Sequence, residues 1–147
     1  MLLKRLFNKD KYDREEQLNE QVNEKIEKYN YTVEHIKIDT RSFGNVIIIL
    51  SRENLMLRLV KDRGVISVDI GYKSIRDEWL DVLVILRLSN INDYILPEKE
   101  PEILEYVINL LEKYPDVFND LKYIGPFYNM KRRIAQYNRN KSTWWNN

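Results

Sequence analysis

The chain has 147 residues, 44% of them hydrophobic, enough for one domain that can bury roughly two-thirds of the surface its unfolded form exposes. It has no cysteine, which excludes disulfides and thiolate metal sites, and a single histidine, His35, so any metal site would rest on carboxylates or that one imidazole. The net charge of +1 hides an asymmetry: residues 1–120 carry 18 basic and 23 acidic groups, whereas residues 121–147 carry 6 and none, so a body near −5 precedes an end of +6.

The start, MLLKRLFNKDKY, has Lys4 and Arg5 directly after three apolar residues and lacks the apolar run of a signal peptide. The chain is expected to stay in the cytoplasm. From Asp10 to Tyr29, Leu18, Val22, Ile26 and Tyr29 recur at spacings of four, four and three, which predicts a helix with a narrow apolar stripe. Residues 31–38 read as a strand, with Ile36 and Ile38 on one face beside Thr32 and Glu34, and Val33 and His35 on the other.

Three further strands are predicted at 46–50, 55–60 and 65–70, joined by four-residue loops at 51–54 and 61–64. Leu50 then lies opposite Leu55 and Val60 opposite Val65. One face reads Val46, Ile48, Leu50, Leu55, Leu57, Leu59, Ile66, Val68 and Ile70, all apolar. A connection one residue shorter would mix the faces, so the even loop is preferred. Gly64 suits a left-handed position at the end of its loop. The other face mixes Ile47, Ile49, Met56, Val60 and Val65 with Arg58, Ser67 and Asp69. Arg58 and Asp69 sit diagonally and can pair on an ordinary surface; the sharper reading is a half-covered face that receives a partner.

After Gly71 the pattern turns helical. Ser74 to Asp77 has the form of a capping box, and Trp79, Leu80, Val82 to Leu86 and Leu88 cover most of a helix circumference, predicting a buried helix over 75–89 against the apolar sheet face. Asp81 and Arg87 interrupt this run, the most membrane-like in the chain, so no membrane association is expected. Pro101 suits the first turn of a helix carrying Ile103, Leu104, Val107, Ile108 and Leu111 and ending at Pro115. A short helix is expected over 116–121. Beyond Gly125–Pro126, Phe127, Met130, Ile134 and Tyr137 give a last amphipathic segment. The expected organisation is a single α+β domain over 1–140, an antiparallel meander of about four strands preceded by one helix and followed by helices, with 141–147 a flexible tail.

Catalytic patterns are scarce. With one histidine and no cysteine no nucleophile triad is suggested, no glycine-rich phosphate loop exists, and Glu15–Glu16 and Asp77–Glu78 read as solvated helix starts. A carboxylate pair that meets only in space stays open. The expectation is a binding protein without enzymatic activity, cofactor or metal. At the basic end, Lys131, Arg132, Arg133, Arg139 and Lys141 alternate with Tyr123, Tyr128, Tyr137, Trp144 and Trp145, the mixture that single-strand nucleic-acid binders use. The plainer reading is an exposed basic helix.

LMLRLVKDRGVISVDIG, Leu55 to Gly71, followed by WLDVL at Trp79 to Leu83, resembles the small cytosolic immunity proteins encoded beside bacterial polymorphic toxins, over roughly residues 44–90. The resemblance implies inhibition by binding to one cognate toxin, with no functional residue to carry over. A body near −5 would suit a basic toxin. On that reading the contact falls on the mixed sheet face, with Arg58 and Asp69 as polar and Met56 and Tyr72 as packing contacts. The alternative is a nucleic-acid-associated regulatory protein acting through 121–147, by way of Lys131, Arg132, Arg133, Arg139, Trp144 and Trp145.

Overall fold

The computed structural model describes residues 2–39, 41 and 44–145, without the side chains of 2, 4–8 and 142–145. Its elements are α1 (Leu2–Ile26), a 3-10 turn (Glu27–Tyr29), β1 (Thr32–Asp39), β2 (Asn45–Arg52), β3 (Leu55–Asp62), β4 (Val65–Tyr72), β5 (Ile75–Asp81), α2 (Val82–Leu88), α3 (Glu100–Lys113), α4 (Pro115–Phe118), a second 3-10 turn (Asn119–Lys122) and α5 (Ile124–Trp145). The fold is α+β, and the sheet is an antiparallel meander of five strands in chain order, one more than the pattern suggested.

The two faces of the meander are those that side-chain parity implies, but the register is shifted. Arg52 pairs with Leu55 and Asp62 with Val65, so two-residue turns at 53–54 and 63–64 replace the expected four-residue loops, and Leu50 lies opposite Leu57. A shift of two residues leaves every side chain on its face. Arg63 and Gly64 have φ of 51° and 80°, the two positive values of a type I′ hairpin turn, whose twist matches that of its strands. Asparagines brace the turns at both ends of the sheet. Asn45 donates to Asp62 at 3.1 Å and accepts from Arg63 N–H at 3.0 Å; Asn54 donates to Ser74 Oγ and accepts from Ser74 N–H, both at 3.0 Å.

In β1 the pairing slips between Val33, opposite Leu50, and His35, opposite Ile49. The bulge at Glu34 turns Val33 to the side of Ile36 and Ile38, not to that of His35. This is why its alternation is imperfect: all three apolar side chains reach the core.

The predicted helix over 75–89 is instead a strand followed by a short helix. Ser74 belongs to the β4–β5 turn, and Asp77, at φ 59°, sits in an insertion between Tyr72–Ile75 and Gly71–Trp79 pairing, so Ser74–Asp77 caps nothing. Leu80 pairs with Ile70 on the apolar face. The helix starts seven residues later, at Val82, where Asp81 is the N-cap and accepts from Leu83 N–H at 2.9 Å and Val84 N–H at 3.2 Å.

Helices cover one side of the sheet. Leu18, Val22 and Ile26 of α1, Val82, Ile85 and Leu86 of α2, six side chains of α3, and Phe127 and Met130 of α5 form a continuous core with the apolar sheet face. Ion pairs tie both ends of α3 to strands, Lys61 to Glu100 and Arg52 to Glu112, each at 3.4 Å. Pro126 sits in the first turn of α5, where a missing N–H costs nothing. That helix continues to Trp145, so of the expected tail 141–147 the backbone through 145 is helical, while Trp144 and Trp145 side chains and residues 146–147 lie outside the described residues. No helix among the described residues is long and apolar enough to cross a membrane.

Asp81→Ala should cost about 1 kcal/mol in urea unfolding, the typical worth of an N-cap, whereas Asp81→Asn, which still caps, should not. Burial above all, and the charge of Asp69 opposite, push the Asp81 carboxyl above its ordinary range, against the pull of the N–H groups it caps. A carboxyl raised in the folded state destabilises it increasingly as pH rises from the unfolded value through the folded one. Asp81→Asn should therefore gain on the natural protein between acid and neutral pH in the same measurement.

Candidate functional site on the open face of the sheet

The second face of the sheet stands apart from the core. Ile47 and Ile49 of β2 and Met56 and Val60 of β3 are half-buried, and none is among the side chains packed on the core cluster. Val65, at the end of this face, is 71% exposed. Charged and aromatic groups stand in the middle of these apolar side chains.

Arg58 lies directly opposite Asp69, not diagonally, because the register is shifted. Its Nη2 and Nε donate to Asp69 Oδ2 at 2.8 and 3.2 Å. The guanidinium also lies 4.3 Å from the ring centre of Trp79, a cation–π geometry worth roughly 0.5–1 kcal/mol at exposed sites. The indole reaches this position by lying across Gly71, its cross-strand partner: a Cβ on Gly71 would meet Trp79 Cε3 at 2.9 Å. Arg58, Trp79 and Gly71 thus form a stack. The Asp69 side chain is 13% exposed and that of Arg58 31%, so the cation is the accessible half of the pair.

Of the expected partner-binding residues, Met56, Arg58 and Asp69 stand on this face; Tyr72 is buried on the other side of the sheet, though it shares with Met56, Gly71 and Trp79 the lining of a cavity of about 210 Å³. Tyr72 has the parity of Val68 and Ile70 and points into the core, where its hydroxyl donates to Phe118 C=O at 3.4 Å and its ring meets Phe127 edge-on. Burial, with Tyr31 nearby, pushes that hydroxyl up to about 12. It also lines a cleft of about 490 Å³ at the end of the sheet, between Arg52, Glu112 and Lys122. Trp79 and Gly71 were missed because the sequence pattern placed Trp79 on a helix; the parity of Gly71 with Asp69 was the available signal.

Asp69 and Asp81 are cross-strand neighbours, two carboxylates that meet in space and that no spacing in the sequence had paired. Both are engaged structurally, Asp69 by Arg58 and Asp81 as the cap of α2, and neither lines a described cavity. No group of three or more acidic or histidine side chains among the described residues is placed to hold a metal ion. His35 is exposed on β1.

The basic residues of α5 do not form one face. Lys131 is bonded to Glu78, Arg132 to Asn129, Arg133 to Leu88 C=O at the end of α2 at 3.2 Å, and Arg139 to Gln136 at 2.7 Å. Only Arg132 and Arg139, seven apart, share an orientation on the helix.

Gly71→Ala should destabilise the protein by about 1–3 kcal/mol, the usual cost of overpacking, with a shift in Trp79 fluorescence measured where Trp144 and Trp145 are Phe. Wild-type stability and emission would show that the indole does not lie on Gly71. No protein-family model, curated protein or solved structure matches this chain.

Proposed function

We propose that this is a non-enzymatic protein-binding module that acts as an immunity protein, neutralising one toxin by direct association in the cytoplasm. The observation that carries the reading is the one-sided covering of the sheet: a four-strand apolar surface left half-exposed around an accessible arginine. Such a surface has the composition of an interface centre, apolar with an anchored Arg and an aromatic, and a rim that is polar. Supporting it is the charge of residues 1–120, near −5, which would steer a basic partner.

Ile47 and Val60 face each other across β2 and β3 on this surface and make no core contact, so changing both to Lys alters the face without opening the core. The tagged protein should retain one stoichiometric protein from host lysate after nuclease treatment, and the Ile47→Lys/Val60→Lys variant, folded by circular dichroism, should lose it. The captured domain should be toxic when expressed alone and harmless with this chain. Its association rate should fall as salt rises. Capture of nucleic acid that vanishes on nuclease treatment would sink the reading and move attention to Arg132 and Arg139.

A further inference from the structure

The two edges of the sheet differ. β5 pairs with β4 at four positions and is interrupted where Arg76, Asp77 and Glu78 bulge out, with Lys131 of α5 bonded to Glu78. β1 is eight residues long and pairs without interruption from His35 to Asp39. Beyond the bulge at Glu34, these five residues form a regular edge, and such an edge presents a row of outward N–H and C=O groups, a template for another strand.

In β1 the outward direction is marked by Ile38, whose N–H donates not to β2 but to Glu15 Oε1 of α1, at 3.0 Å. Antiparallel pairing alternates inward-turned and outward-turned residues, so Ile36 turns its N–H and C=O outward as well. Ile36 borders a groove of about 380 Å³ between residues 33–36 of β1 and Tyr12, Glu15, Glu16 and Asn19 of α1, and Ile38 lies just beyond its end, tied to it through Glu15. The acidic side chains Glu15, Glu16 and Glu34 line it, and no lysine or arginine does. Glu34 is already engaged by Ser51 and by Lys73, and both partners hold its carboxyl below the ordinary range. Glu15 and Glu16 remain to meet an incoming cation.

We propose that the edge of β1 takes an extended cationic segment of the partner protein as a sixth strand, with Ile36 and Ile38 supplying the ladder and Glu15 and Glu16 receiving its Lys or Arg side chains. The inference rests on the binding-protein reading and names the partner's chemistry. Strand addition draws affinity from main-chain hydrogen bonds and specificity from alternate side chains. As the added strand offers a carbonyl to Ile38 N–H, it releases the Glu15 carboxylate from that bond to pair with the cation. A second copy of this chain is disfavoured as occupant, because two-fold pairing of β1 with itself would bring the same carboxylates together.

The test uses the full chain and a short labelled peptide alternating Lys with Val, its twin with Glu for Lys, and two N-methylated forms that remove the backbone donors of one edge or of the other. Anisotropy at low salt should show binding of the Lys peptide, none of the Glu twin, and loss of binding in only one N-methylated form. Glu15→Gln with Glu16→Gln keeps an acceptor for Ile38 N–H and should weaken the Lys peptide by about tenfold. Equal binding of both N-methylated forms would reduce the groove to a charge effect and overturn strand addition, as would no binding at millimolar peptide or a dimer of the chain that the peptide dissolves. Partner capture separates this from the parent reading: a partner lost with Ile47→Lys/Val60→Lys while no peptide binds removes the edge site alone.

Discussion

Two turns of two residues each hold the register on which the rest of the structure depends. With connections at 53–54 and 63–64, parity carries unbroken through β2, β3 and β4, and nine apolar side chains from Val46 to Ile70 share the helix-covered side. One residue more at 53–54 would turn Leu57 and Leu59 off the core side and bring Arg58 onto it; one more at 63–64 would do the same to Val68 and Ile70 and to Asp69. The turns are not conformationally free, since Glu53 and Arg63 both adopt positive φ, a region that costs side-chain-bearing residues roughly 1–2 kcal/mol. The hydrogen bonds of Asn54 and Asn45 offset that strain where it arises.

Parity is also what made the fold legible. The division of residues 46–70 into an apolar and a mixed face needs only the two-residue period, and it survives a register error of two because such an error preserves parity. Loop length was not legible, since Arg52 and Lys61 look like loop residues although they are strand ends whose long side chains reach Glu112 and Glu100 on α3. The region after Gly71 failed for a different reason. Trp79 to Leu88 is so continuously apolar that no period can be read from it, and the capping pattern at Ser74 outcompeted the true cap at Asp81. The same parity, carried two residues further, would have put Tyr72 in the core with Ile70; the stack of Trp79 on Gly71 could not be foreseen once Trp79 was given to a helix.

The charge asymmetry along the chain is partly resolved within the fold. Lys131 meets Glu78 of the body, and Arg133 meets the carbonyl end of α2, where a cation is favoured. What remains unbalanced is the acidic excess of residues 82–120, which carry 8 acidic and 3 basic groups; α1 has six of each, and beside the edge of β1 the acidic groups are the local trio Glu15, Glu16 and Glu34. The side chains and backbone groups that the core does not use lie on the edge of β1 and the open face, while α3 and the apolar face hold the scaffold.

Because the strands lie side by side in chain order, each one can pair with a neighbour made just before it, across two residues at three of the connections and across residues 40–44 between β1 and β2. Pairing of this kind requires little loop-closure entropy, and sheets built from local pairings fold faster than those built from distant ones. The exception is the seating of α1 against α3, beside which Lys28 of the first 3-10 turn meets Glu105 at 3.1 Å, about half the chain's length away in sequence. During synthesis the meander can therefore form while α3 is still unmade, and its apolar face waits for the helix that closes it.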